Sequence, residues 1–265
     1  MAGVFRVTAE PPRGSLALVP AYNALNSLSL LHAVEAFPAV DEWVRRTAAA
    51  LSVPRIKLNR VLFDELGEVL VVDDPDQDFP SYLASLAAQR ADELRSRALA
   101  GNAPNGDAAR LSDEAAALLD NPVRLHDTIV SHLHELWERY LEPEWASVER
   151  KLNLNLSYLL RSTPGSGVPP EAIMANLQRF IAGARGYRPE TQNIVFVPSP
   201  HTGRYTTSMQ AGSSLYLFFD AALHMELLMR NTRVSQAELV GRLSALAEPA
   251  RLRVLAALAQ HDDVT

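Results

Sequence analysis

Apolar and polar positions along the chain fall into runs whose spacing predicts their form. Val4 to Ala9 alternates and predicts a short strand, ended by Pro11-Pro12 and Arg13-Gly14. "LALVPAY" is a second short apolar run, broken by Pro20. From Asn23 the pattern turns helical: Leu25, Leu28, Leu31 and His32 recur every three or four residues up to Phe37-Pro38. Helices are predicted over 39–51 around Trp43, over 54–65 after Pro54, and over 82–98. "GEVLVVDD" has no decisive period and reads equally as a strand or a buried helix end. "GNAPNGD" (101–107) is turn chemistry and predicts a mobile loop.

The clearest pattern covers 121–160. Asn121 suits an N-cap and Pro122 the first helical position, where its missing N–H costs nothing. Leu125, Ile129, Leu133, Leu136 and Tyr140 then share a face. Pro143 is expected to end that helix and open another, striped by Trp145, Val148, Leu152, Leu156 and Leu159. A helix after Pro169-Pro170 turns Ile173, Leu177, Phe180 and Ile181 inward. "NIVFVPSP" and "SLYLFFD", separated by a loop with Gly203 and Gly212, are expected to pair antiparallel, with room for the N-terminal strand beside them. The fold class that follows is α+β, mainly α: a helical domain over 1–230 with a small antiparallel sheet, then a different unit over 234–265.

That last unit consists of two short helices. "VSQAELVGRL" has Ser235 as N-cap and Glu238 at capping-box spacing, with Leu239, Leu243 and Leu246 on one face. Glu248-Pro249 ends it and starts a second helix carrying Leu252, Leu255 and Leu258. The stretch "LSALAEPARLRVLAAL" (243–258) resembles the opening of the ArsR-type winged helix-turn-helix family; Leu243, Leu246, Ala247, Pro249, Arg251, Leu252 and Leu255 carry the match. Glu248 stands where Asp is usual and Ala250 where Thr is usual. The preceding "LWERYLEPEWASVERKL" and "IVFVPSPH" are similar to the long helical N-terminal domain of some such regulators. The resemblance implies a cytoplasmic homodimer that regulates transcription, a repressor answering a small-molecule effector. It also implies a recognition helix and a wing following Thr265, so that the DNA-reading part lies past the chain's end.

Charge fits that division. The chain carries a net −6 with a pI near 5.7. From Arg230 onward the balance is +1, leaving −7 for the rest, so the bulk of the chain is not a phosphate-binding face. The absence of cysteine removes disulfides and thiolate metal sites and accords with a reducing compartment. No signal-peptide h-region and no apolar run of about 18 residues occurs, so no membrane partner is expected.

Candidate chemistry is sparse, and no cofactor or metal is called for. His134 and Glu138 are four apart on a helix, but His132 diverges from them and no HExxH pattern exists; His126 completes the group. "PSPH" sets Ser199 near His201 without a nucleophile elbow. Trp137, Tyr140 and Trp145 are candidates for lining an effector pocket, or for plain core, with Tyr205 and Arg204 on a nearby loop. Arg251 and Arg253 are candidate phosphate contacts, as is Arg242, although a supporting surface role suits these positions better. Two other functions stay open: an enzyme acting through the region from His126 to Glu138, and an assembly module without a ligand.

Overall fold

The computed structural model describes residues 13–72, 74–101, 111–161 and 191–220. The chain divides into two compact units, Met1–His224 and Met225–Thr265, and every described residue belongs to the first. The expected strand at 4–9, the loop past Gly101, the helix after Pro170 and the two helices of 234–265, with Arg242, Arg251 and Arg253, lie outside the described residues.

The first unit is mainly helical with one four-stranded sheet, an α+β arrangement. In chain order it runs β1 (Arg13–Leu16), α1 (Pro20–Ser29), α2 (Glu42–Ala50), α3 (Val53–Arg60), α4 (Phe79–Ala87), α5 (Ala91–Gly101) and α6 (Asp113–Leu119). It continues with α7 (Pro122–Leu136), α8 (Glu142–Arg161), β2 (Asn193–Ser199), β3 (Thr207–Ala211) and β4 (Ser214–Asp220). Short polar side chains start the helices by accepting an otherwise orphaned backbone N–H: Asp41 from Trp43, Asp78 from Ser81, Ser112 from Ala115 and Asn121 from Arg124. Pro20 opens α1 instead of breaking the apolar run around it, because its fixed φ suits a first helical residue. Before it, Val19 is held at φ 41°, a conformation a β-branched side chain rarely adopts, where β1 turns sharply into α1.

Three elements depart from the pattern. The single helix expected over 82–98 is two, α4 and α5, broken at residues 88–90. "GEVL" resolves as a 3-10 turn, Gly67–Leu70. Pro143 does not end the helix begun at Pro122. A π turn over Trp137–Leu141, closed by the Glu142 N–H donating to the Trp137 carbonyl, absorbs the lost hydrogen bond and lets α8 continue. A second π turn, Val61–Glu65, extends α3.

The sheet is mixed, with strand order β1-β2-β4-β3, which corrects the antiparallel expectation. β1 and β4 both lie parallel to β2, Phe196 facing Leu16 on one side and Leu217 on the other. The reason is β3. Its polar sequence TSMQA turns back at Gly212 and pairs antiparallel with β4, so β4 is reversed a second time and runs with β2. β2 and β4 are buried along most of their length, the mark of parallel strands covered on both faces, and α1 and α8 both pack against β2. Tyr22 of α1 meets Tyr216 of β4 edge-on at 4.9 Å. The core continues through Phe79 and Tyr82 of α4 into Leu125, Ile129, Leu133 and Leu136 of α7. No helix among the described residues is long and apolar enough to cross a membrane.

Candidate functional site

A cleft of about 600 Å³ opens between the C-terminal end of α1, the π turn after α3 and strand β3. That volume lies within the range of ordinary small-molecule sites. Its apolar surface includes Phe37, Phe63, Leu30 and Leu70, and among the described residues its carboxylates are Asp64, Glu65 and Glu68 and no lysine or arginine lines it. The π turn is what brings Phe63, Asp64 and Glu65 to the rim, and such turns recur at functional positions. Glu65 is partly committed, since it accepts the Ser112 N–H at 2.7 Å.

From the cleft a chain of polar side chains crosses the core. His32 lies 3.0 Å from Asp64 through Nε2 and 3.3 Å from the Asn59 amide nitrogen through Nδ1. Asn59, fully buried, also donates to the Leu28 carbonyl at 2.9 Å, and its oxygen is 3.1 Å from His132 Nε2. The far side of His132, Nδ1, faces Arg55 at 3.5 Å, and Arg55 pairs with Glu135 on α7. Arginine can only donate, so His132 accepts at Nδ1 and carries its proton on Nε2 toward Asn59. Asn59 in turn donates to His32, whose proton therefore sits on Nε2 and faces Asp64. One set of proton positions satisfies every contact with both imidazoles neutral. Burial holds the His132 pKa down at about 4, with the Arg55 charge adding to the effect.

Replacing Asn59 with Leu removes the middle of this chain and strands the His132 N–H in the core. We expect the Asn59→Leu variant to lose about 2–3 kcal/mol in urea unfolding, the cost of leaving a buried polar group without its partner.

A second buried polar group lies where β2 ends against α1. His201 Nδ1 is 2.8 Å from Ser27 Oγ, and Ser27 donates to the Asn23 carbonyl at 2.9 Å. The hydroxyl proton is thus spent, and the imidazole is the donor, the reverse of what activating a serine requires. Trp43 stacks on the His201 ring at 4.3 Å, and burial keeps that histidine's pKa at about 4. Ser199 is buried as well, accepting from the Asn26 amide at 3.3 Å. "PSPH" therefore forms a sealed joint between sheet and helix.

The other residues singled out in the sequence are scattered. Trp137 and Trp145 meet at 5.9 Å, and Trp137 also packs on Phe79 at 4.9 Å. The Tyr140 carbonyl accepts from the Trp43 indole, while its ring lies under Arg139. Tyr205 stands apart from these three: its ring meets Phe37 at 5.0 Å, just behind the cleft wall, and its hydroxyl accepts the Ala39 N–H. His126 bonds to the Ala87 carbonyl, and His134 pairs with Glu138 on an exposed face, whereas His132 points into the core. Among the described residues no group of three His, Asp or Glu side chains is placed to hold a metal.

His32, Asn59 and Asp64 are the residues the sequence pattern does not single out as a site. The only signal available was polarity at helix-core positions: Asn59 sits in a helix that otherwise reads as ordinary, and His32 falls in a leucine stripe. No protein-family model, no curated protein and no solved structure matches this chain.

Proposed function

We propose that the chain is a ligand-responsive transcription regulator, a cytoplasmic repressor working as a homodimer, with the first unit as its effector domain. The observation that supports the sensing half is the cleft joined through His32, Asn59, His132 and Arg55 to Glu135 on α7. A site wired to a distant helix by fully paired groups gives a ligand something to bias: occupancy that favours one arrangement of the chain shifts the population toward it. The DNA-binding half rests on the resemblance of residues 243–258 to ArsR-type regulators. In this reading the effector moves the two recognition helices of the dimer into or out of the spacing its half-sites require.

The test is selection from random duplex DNA with the product of the native gene. A regulator of this kind enriches a two-fold symmetric sequence whose half-sites lie about 34–36 Å apart. Recovery of unenriched DNA, or retention that vanishes uniformly with added salt, rules the reading out.

A further inference from the structure

We infer that His32 is a proton sensor: when its ring takes up a second proton, the Asn59 amide turns over and Arg55 of α3 is released from His132 of α7. The inference concerns the polar side chains that lead from the cleft into the core, and it holds whether or not the chain reads DNA.

With both imidazoles neutral, each member of this series has one available orientation. Arg55 only donates, so His132 accepts at Nδ1, 3.5 Å away, and presents the proton on its Nε2 to the Asn59 oxygen at 3.1 Å. The Asn59 amide nitrogen divides its two protons between the Leu28 carbonyl at 2.9 Å and His32 Nδ1 at 3.3 Å. His32 completes the series with its own proton on Nε2, 3.0 Å from Asp64. Asn59 and His132 are fully buried, so a polar atom turned the wrong way has no bulk water to fall back on.

A proton arriving at His32 binds at Nδ1, where it meets the Asn59 N–H donors. Two donors then face each other. His32 does not withdraw to relieve them: its side chain is only 7% exposed, the Phe63 ring stands nearly parallel to it, and Asp64 holds a charged imidazole more firmly than a neutral one. Asn59 can yield, because its oxygen and its NH2 group are close in size and exchange places by a half-turn of the amide. That half-turn gives His32 an acceptor, takes a donor from the Leu28 carbonyl and directs the NH2 group at His132 Nε2. His132 must now accept at Nε2 and carry its proton on Nδ1, facing an arginine that also only donates. Their contact is lost, and Arg55 is left to Glu135. One proton enters in total, at His32; His132 stays neutral and changes only the position of its own.

The Leu28 carbonyl sets the resting state. It keeps Asn59 in the first orientation while His32 is neutral and gives way once a charge must be satisfied, since a hydrogen bond to a charged group outweighs one between neutral groups. Among the described residues the charged groups facing the switch are Asp64 from the π turn, with Glu65 and Glu68 lining the same cleft, and at the far end Arg55 from α3 with Glu135, which also pairs with Arg139.

Nitrogen-15 NMR of the imidazole rings in the full chain, from about pH 8 to about pH 5, distinguishes a protonated ring nitrogen from a bare one. At the start both His32 and His132 should carry the proton on Nε2. As His32 gains its Nδ1 proton, His132 should change completely from Nε2–H to Nδ1–H with the same midpoint. Asp64→Asn leaves an oxygen for the neutral ring but removes the carboxylate's hold on the charged one, so both midpoints should move together to lower pH. His32→Gln should abolish the change at His132. An Nδ1–H form of either ring at the start, a His32 that stays neutral throughout, or a His132 that keeps Nε2–H while His32 titrates overturns the inference, as do midpoints that separate in Asp64→Asn or a change at His132 that survives His32→Gln. The native chain decides the matter even where a variant fails to fold. None of these outcomes alters the result of DNA selection, so the two readings fail separately.

Discussion

Gly203→Ala should cost more than about 4 kcal/mol or abolish folding, the range reserved for a forced rearrangement of packed backbone. Gly203 sits at φ +58°, and a Cβ there would lie 2.1 Å from the Ala39 carbonyl oxygen and 2.8 Å from Val40 Cα. Neither is the tip of a flexible side chain that can swing away. The contact matters because this loop is laced to the segment before α2. The Asp41 N–H donates to the His201 carbonyl, the Arg204 N–H to the Ala39 carbonyl, and Ala39 donates to the Tyr205 hydroxyl. Pushing residue 203 away from residue 39 loosens all three and with them the stack of Trp43 on His201. Gly212 provides the internal comparison. Its φ is +54°, but a Cβ there meets nothing within 4 Å. Gly212→Ala should therefore cost only the conformational strain, about 1–2 kcal/mol. Urea unfolding of both variants checks the contrast; equal costs would show that the close approach at residue 39 carries no energy.

Acid should destabilise the protein from about pH 6.5 down to about pH 4, a loss that begins above the range of carboxylate titration. His132 and His201 are buried and neutral, each with a pKa of about 4 against an ordinary 6.5. The sign follows from proton binding. Below pH 6.5 the unfolded chain takes up protons that the folded chain refuses, so folding loses ground as pH falls, until the folded histidines also titrate near 4. Their stabilisation is complete above 6.5. Over the whole window each histidine withdraws roughly 3 kcal/mol, two to three pKa units at about 1.4 kcal/mol per unit. The measurement is unfolding free energy against pH in the native chain and in His132→Gln, which cannot titrate. The variant should show about half the slope; an unchanged slope would mean that His132 is protonated in the folded state.

The parts of the fold that could be read from the sequence are those fixed by local chemistry. Asn121 and Pro122 start α7 where the pattern places it, because a cap and a proline at the first position act within one turn. β2 and β4 are recognisable as apolar runs rich in β-branched and aromatic residues. Their relative direction is not, since it is set by β3, an edge strand of Thr, Ser and Gln whose polarity reads as loop. Seven-residue α6 carries too short a stripe to stand out. The cleft is invisible for a different reason. Its walls come from residues 26–37, 63–71 and 206–210, which no sequence period relates, and the π turn that presents Asp64 has no residue signature. Trp137, Tyr140 and Trp145 stand out in the sequence because they are large and close together. Asp64 and Asn59, which complete the path from cleft to α7, look like any polar residues of a surface helix.

The π turn over Trp137–Leu141 also sets the angular bookkeeping of the long helical rod from Pro122 to Arg161. Leu136 and Val148 are both buried and stand twelve positions apart. In an unbroken α-helix, at about 100° per residue, twelve steps would leave their directions about 120° apart, on different sides. Taking one residue out of the count reduces the offset to about 20°. The wider turn thus works as a phase corrector. It returns Val148 to nearly the direction of Leu136 despite a proline at the junction; Val148 and Leu152 are buried, and α8 packs against β2.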